Sequence, residues 1–165
     1  MKRVRSAPRQ RAGPPLKREA VRSLRATALA LIYIRKHKRV LWVDDKPDWN
    51  SFERSELAKL LIEVITATCM LEAWSCIDLD PESFDLVISN WNRPVDGPEA
   101  GLALLRAIRQ PSTKNPNVPF VFYHGISAIA PRRARAAKAQ AAGALGEAVL
   151  PSELMALVLR AFEST

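Results

Sequence analysis

From Val40 onward, short apolar runs alternate with amphipathic stretches. The runs are VLWV (Val40–Val43), VITAT (Val64–Thr68), DLVIS (Asp85–Ser89), PFVFY (Pro119–Tyr123) and EAVL (Glu147–Leu150). They are nearly continuous in apolar character, as strands buried on both faces are. Between them the spacing predicts five helices. The first, Trp49–Glu63, opens after Asp48 as its N-cap, and the second spans Met70–Ile77. The third, Glu99–Gln110, reads GLALLRAIR and stops at Pro111; the fourth, Pro131–Ala142, ends at Gly143; the fifth is Ser152–Glu163. Five strands alternating with five helices predict an α/β fold, a doubly wound five-stranded parallel sheet with helices on both faces. The functional crevice of such a sheet lies beyond the carboxyl ends of its strands. Asp44-Asp45, Asn90, His124 and Leu150 all fall at those ends.

The segment ahead of the first strand has a different character. Residues 1–39 carry 13 Lys/Arg against one acid, Glu19, a formal +12. Residues 40–165 carry 12 Lys/Arg against 16 Asp/Glu, a formal −4. This divides the chain into a basic N-terminal extension, 1–38, and a mildly acidic body, 39–165. Residues 1–15, with three prolines, are expected to be disordered. Leu16, Ala20, Val21, Leu24, Leu31 and Ile32 recur near helical spacing and predict a basic amphipathic helix over 16–37. The longest uncharged run, Ala26–Ile34, has nine residues, about half of the ~20 that span a bilayer. No membrane span and no secretory signal is expected, since RKHKR follows that run where a cleavage site would stand. Two cysteines, Cys69 and Cys76, match no metal or redox spacing and fit a reducing, cytoplasmic setting.

The chemistry concentrates where the first strand ends. Asp44 and Asp45 are adjacent carboxylates that repel each other, and a divalent cation is the usual reward for holding two together. The 48% hydrophobic content is enough to bury a full core around them. Trp91 reads as a loop aromatic shielding the crevice. Arg132, Arg133, Arg135 and Lys138 read as a partner surface or a solvated face of the fourth helix. No Gly-rich phosphate loop, zinc spacing or Ser/His/Asp constellation is present, so the chain is not expected to be an enzyme.

Together, VLWVDD, FDLVISNWNRP, VPFVFYHG and AAGALGEAVLP resemble the receiver domain of two-component response regulators, in order and spacing, over about residues 39–163. The resemblance implies the flavodoxin-like (βα)5 fold. It implies that an acid pair and a third-strand aspartate hold Mg2+, and that this aspartate accepts a phosphoryl group. A hydroxyl after the fourth strand and a Lys after the fifth then engage the phosphoryl oxygens. Matched position by position, the acid pair is Asp44 and Asp45, but the phosphoacceptor position is Asn90. His124 stands at the hydroxyl position, Leu150 at the Lys position, and Glu147 at that of the aromatic that moves with activation. Asn90 cannot form an acyl phosphate, because an amide is not a carboxylate nucleophile. With three Asp and one Lys the family's site has a formal charge of −2; Asp44, Asp45, Asn90 and Leu150 also give −2. Losing the acceptor carboxylate and the Lys together leaves neither charge unpaired in a crevice.

The resemblance therefore implies an atypical pseudo-receiver, working as a phosphorylation-independent protein-interaction regulator in a phosphorelay. Its partner would be a histidine kinase or other signalling protein, or a second copy of the chain in a homodimer. Asp44, Asp45, the Asn90 side-chain oxygen and the Asn92 carbonyl remain as a weak Mg2+ set. His124 is expected to be hydrogen-bonded to backbone or paired with an acid rather than to ligate metal. The alternative is a nucleic-acid- or polyanion-binding protein acting through residues 1–39, although no base-reading motif accompanies the charge.

Overall fold

The computed structural model describes residues 38–79, 84–125 and 132–163. The expected disorder of 1–15 and the expected helix over 16–37 lie outside them. The element order is β1 (Arg39–Val43), a 3-10 turn (Pro47–Asn50) running into α1 (Ser51–Lys59), β2 (Glu63–Ala67), α2 (Met70–Leu79), β3 (Leu86–Ser89), α3 (Ala100–Ile108), β4 (Phe120–Tyr123), α4 (Arg132–Ala141), β5 (Gly146–Ala148) and α5 (Pro151–Glu163). All five strands are parallel, in the order β2-β1-β3-β4-β5. This is the doubly wound, flavodoxin-like arrangement that the alternating pattern predicts.

The strands bury both faces. Leu41, Val43, Val87, Phe120 and Phe122 point into one core with Leu102, Leu104, Leu105 and Ile108 of α3. Val40, Trp42, Leu86, Ile88, Val121 and Tyr123 point into the other, against Leu57 of α1 and Leu154, Val158, Ala161 and Phe162 of α5. Each such side chain stabilises the fold by about 1.5–3 kcal/mol when fully buried. Trp91, read from the sequence as a crevice shield, is instead core: it is buried and packs against Phe122 with ring centroids 4.8 Å apart. No helix among the described residues is long and apolar enough to cross a membrane.

Several boundaries differ from the sequence pattern, each for a local reason. The first helix ends early because Leu61 adopts a left-handed φ of 58°, which returns Ile62 to the core and frees Glu63 to begin β2. Asp48 does not cap it; its side chain is fully exposed, and Pro47 starts a 3-10 turn instead. The fifth strand stops at Ala148, because Val149 and Leu150 donate their N–H groups to the Glu153 carboxylate at 2.9 and 3.3 Å. Leu150 thus belongs to the start of α5, in a capping arrangement with Pro151 behind it.

Candidate functional site

In register, Val43 pairs with Ser89, Ser89 with Phe122 and Tyr123 with Ala148, so β1, β3, β4 and β5 end at one level. The residues that follow these strands meet there. Asp44 extends the ladder by donating its N–H to Ala67 O at 2.9 Å. Both oxygens of its buried carboxylate are engaged: one accepts the Lys46 N–H at 2.8 Å, the other the Asn50 side-chain amide at 3.0 Å. Asp44 is thereby the clamp that shapes the turn into α1. Asp45, one residue on, is half-buried and has no hydrogen-bond partner among the described residues.

Asn90 is fixed through its main chain. Its N–H donates to Val43 O at 3.0 Å, and its carbonyl accepts from Ser89 Oγ at 2.9 Å and Arg93 Nη1 at 3.3 Å. A Cβ on Gly101 would collide with that same carbonyl, so only glycine lets α3 approach β3 this closely. Asn92 spends its side-chain oxygen on the Glu99 N–H at 3.0 Å. Asp44, Asp45, Asn90, Asn92 and His124 line one crevice of about 440 Å³, whose wall also includes Lys46, Trp49, Glu53, Pro94 and Tyr123. Leu150 does not line it, contrary to the convergence expected from the strand ends. As part of the α5 cap it is 43% exposed.

The positions of the family's hydroxyl and aromatic are joined to each other. His124 Nε2 lies 2.6 Å from Glu147 Oε1, and Arg135 Nε donates to that same oxygen at 3.1 Å. The Glu147 side chain is 2% exposed and that of Arg135 7%. His124 Nδ1 lies 3.3 Å from the Gly125 carbonyl, so both ring nitrogens have protein partners. Of the two roles the sequence left open for His124, backbone bonding and acid pairing, it takes both. Arg135 is correspondingly turned inward, whereas Arg133 is exposed and Lys138 forms a surface pair with Glu99 at 2.6 Å. The expected solvated basic face of α4 is therefore reduced by Arg135.

Two further groups, Arg93 and Glu53, shape the site although the sequence analysis singles out neither. Arg93, 0% exposed, donates to Asp96 at 2.6 Å, to Ser89 Oγ at 2.8 Å and to the Asn90 carbonyl. Asp96 also accepts the Met70 N–H at 2.9 Å, tying the loop after Asn90 to α2. An arginine in a turn-rich loop reads as exposed, so only its partners locate it. Glu53 accepts the Tyr123 hydroxyl proton at 2.6 Å, and both are buried. Burial, then that bond and the Glu53 charge, hold the Tyr123 phenol above its ordinary range. The spacing Asn50, Glu53, Leu57 places Glu53 on the inward face of α1, a signal the sequence did carry.

The oxygen donors fit a hard cation only weakly. With both Asp44 oxygens hydrogen-bonded and Glu53 Oε2 buried, Asp45 is the open carboxylate beside the Asn90 side-chain oxygen and the Asn92 main-chain carbonyl. No group of three His, Cys, Asp or Glu side chains among the described residues is placed to hold a metal. Affinity for Mg2+ grows with the number of charged ligands, and here one carboxylate supplies it.

No family model matches the chain, and no curated protein does. Solved structures do. A response regulator receiver domain protein from Clostridium thermocellum superposes with a TM-score of 0.63 at 21% identity, covering 77% of this chain and 95% of its own. The chemotaxis response regulator CheY4 of Vibrio cholerae gives 0.59 at 25% identity, over 75% of this chain and 98% of its own. The receiver domain of NtrX from Brucella abortus gives 0.61 at 25%, over 76% and 99%. The body of the chain has the receiver-domain fold.

Proposed function

We propose that this chain is a receiver-like signalling module that acts by binding a protein partner, without aspartyl phosphorylation and without enzymatic activity of its own. The observation that carries the reading is Asn90, an amide at the position that matches the family's phosphoryl-accepting carboxylate in sequence. The buried His124–Glu147–Arg135 group supports it. The two positions that would answer a phosphoryl group are engaged with each other, and breaking a buried charge pair costs several kcal/mol. The setting is cytoplasmic, and the partner is a histidine kinase or another component of a phosphorelay. Acetyl phosphate with Mg2+ tests the reading. No acid-stable, base-labile phosphoryl adduct forms on the native chain; a stoichiometric adduct on any aspartate would overturn the proposal.

Mg2+ has a minor place in this reading. Asp45, the Asn90 side chain and the Asn92 carbonyl would hold it, and it would supply neutralising charge beside Asp45. A ligand present near its Kd stabilises the fold by only about 0.4 kcal/mol. MgCl2 should therefore raise the melting temperature by about 1–2 °C over NaCl of equal ionic strength. Equal shifts in the two salts, or a Mg2+ response that survives Asp45→Asn, remove the metal from the account.

A further inference from the structure

The crevice is larger and differently furnished than one metal ion requires. Its volume of about 440 Å³ falls in the range of small-molecule sites. Three carboxyl groups line it, those of Asp44, Asp45 and Glu53, against one lysine. That lysine is drawn aside: Lys46 Nζ stands over the Trp49 ring, 4.2 Å from its centroid. The imidazole of His124 is held to Glu147. Negative charge is left facing the opening.

Two further features point to what would meet that charge. Glu53 is 7% exposed, and while its Oε1 accepts from Tyr123, its Oε2 is buried with no hydrogen-bond partner. A buried acceptor left unpaired is costly, and a donor entering the crevice would relieve it. At the rim, Trp49 is 77% exposed, an unusual position for a tryptophan. Its ring already attracts one ammonium group, that of Lys46, which an entering cation would displace.

We propose that the crevice binds an organic cation, an alkylammonium or guanidinium group, with its head at Asp45 and Glu53 and its stem along Trp49 and Pro94. The site that accepts a phosphoryl group elsewhere in this fold becomes, in this chain, an acceptor for a positively charged side chain or small amine. This rests on the phosphorylation-independent reading and names the chemistry its partner would present. A hydrated divalent cation held by Asp45, Asn90 and Asn92 would leave Trp49 and Glu53 Oε2 unused, which separates the two occupants.

The test is an NMR titration of the full-length 15N-labelled chain, at ionic strength held constant with NaCl. One arm uses agmatine, the other a blocked Gly-Arg-Gly tripeptide. The expected result is a saturable shift of the Trp49 indole and Asp45 amide resonances. Binding by agmatine alone identifies a small amine as the occupant, and binding by the tripeptide identifies a side chain. Asp45→Asn should weaken binding about tenfold, the loss of one charge-assisted hydrogen bond. Trp49→Leu, followed at the Asp45 amide, should weaken it several-fold; Trp49 is exposed and Asp45 half-buried without a hydrogen-bond partner among the described residues, so the fold tolerates the changes. No saturable shift in either arm, or variants that bind as the native chain does, overturns the proposal. The phosphorylation assay reads separately, so an adduct there would sink the signalling reading while leaving this titration interpretable.

Discussion

Tyr123 and Glu53 illustrate how a crevice in this fold rests on a buried phenol–carboxylate hydrogen bond in its own wall. The phenol, at the end of β4, is buried against the Trp42 ring, edge to face at 5.7 Å, and donates to Glu53 at 2.6 Å. Because the folded state holds the Tyr123 proton above the ordinary phenol range, the unfolded chain releases it first as pH rises. The stability from this bond is thus fully present below about pH 10 and is lost progressively above it. Tyr123→Phe should destabilise the fold by about 1–3 kcal/mol at neutral pH, since Glu53 is left without its donor. The difference between native and variant should shrink in denaturant titrations above pH 10. A constant difference from pH 7 to 11 would mean that the loss is one of packing and not of the hydrogen bond. The same scale shows why part of the site was illegible: Asp44 and Asp45 look equivalent as letters, yet one is committed to Lys46 and Asn50 and the other is open.

At the scale of elements, β1, β3 and β4 were legible because parallel strands buried on both sides must be apolar throughout, while the edge strands β2 and β5 are only partly buried. Each observed strand lies within one or two residues of its apolar run. Helix ends were less so, because they depend on reciprocal contacts that a periodic pattern does not contain. Glu153 reaches back to Val149 and Leu150 and ends β5 early; Leu61 turns left-handed and shortens α1. Leu150 was the misplaced element of the site for that reason alone. It matches the family's Lys position in sequence, but capping sets its surroundings. Glu147 and His124 were legible as changed positions, and their acid pairing as an option. The entry of Arg135 was not, since an Ala/Arg-rich helix gives no sign of which arginine faces inward. Arg93 lies further still from pattern-based reading. It is enclosed by Ser89, Asn90 and Asp96, three residues that matter to it only once β3 and its loop are in place.

For the whole molecule the decisive contrast is between an acidic body and a basic N-terminal segment, and the two need not serve one purpose. Lys38 and Arg39, counted with the basic segment by composition, are tied to the body. Lys38 pairs with Asp85 at 2.7 Å, the Arg39 N–H donates to Asp85 at 2.8 Å, and the Arg39 side chain pairs with Glu63 at 2.8 Å. A chain beginning at His37 keeps all three contacts and both cores, so it should unfold cooperatively. It would lose 11 of the 13 Lys/Arg of residues 1–39. If that charge binds polyanions, the full-length chain should bind a DNA duplex with an affinity that falls linearly in log–log against salt, through counterion release. The truncated chain should bind far more weakly and with a shallower slope. Equal affinity and slope in the two chains would place any polyanion binding on the body and end the reading based on the extension. Non-cooperative melting of the truncated chain would instead make residues 1–36 an integral part of the fold. Cooperative melting with DNA binding lost would separate the two functions physically: a receiver-fold body whose crevice is free to act, and a basic segment that can only position it.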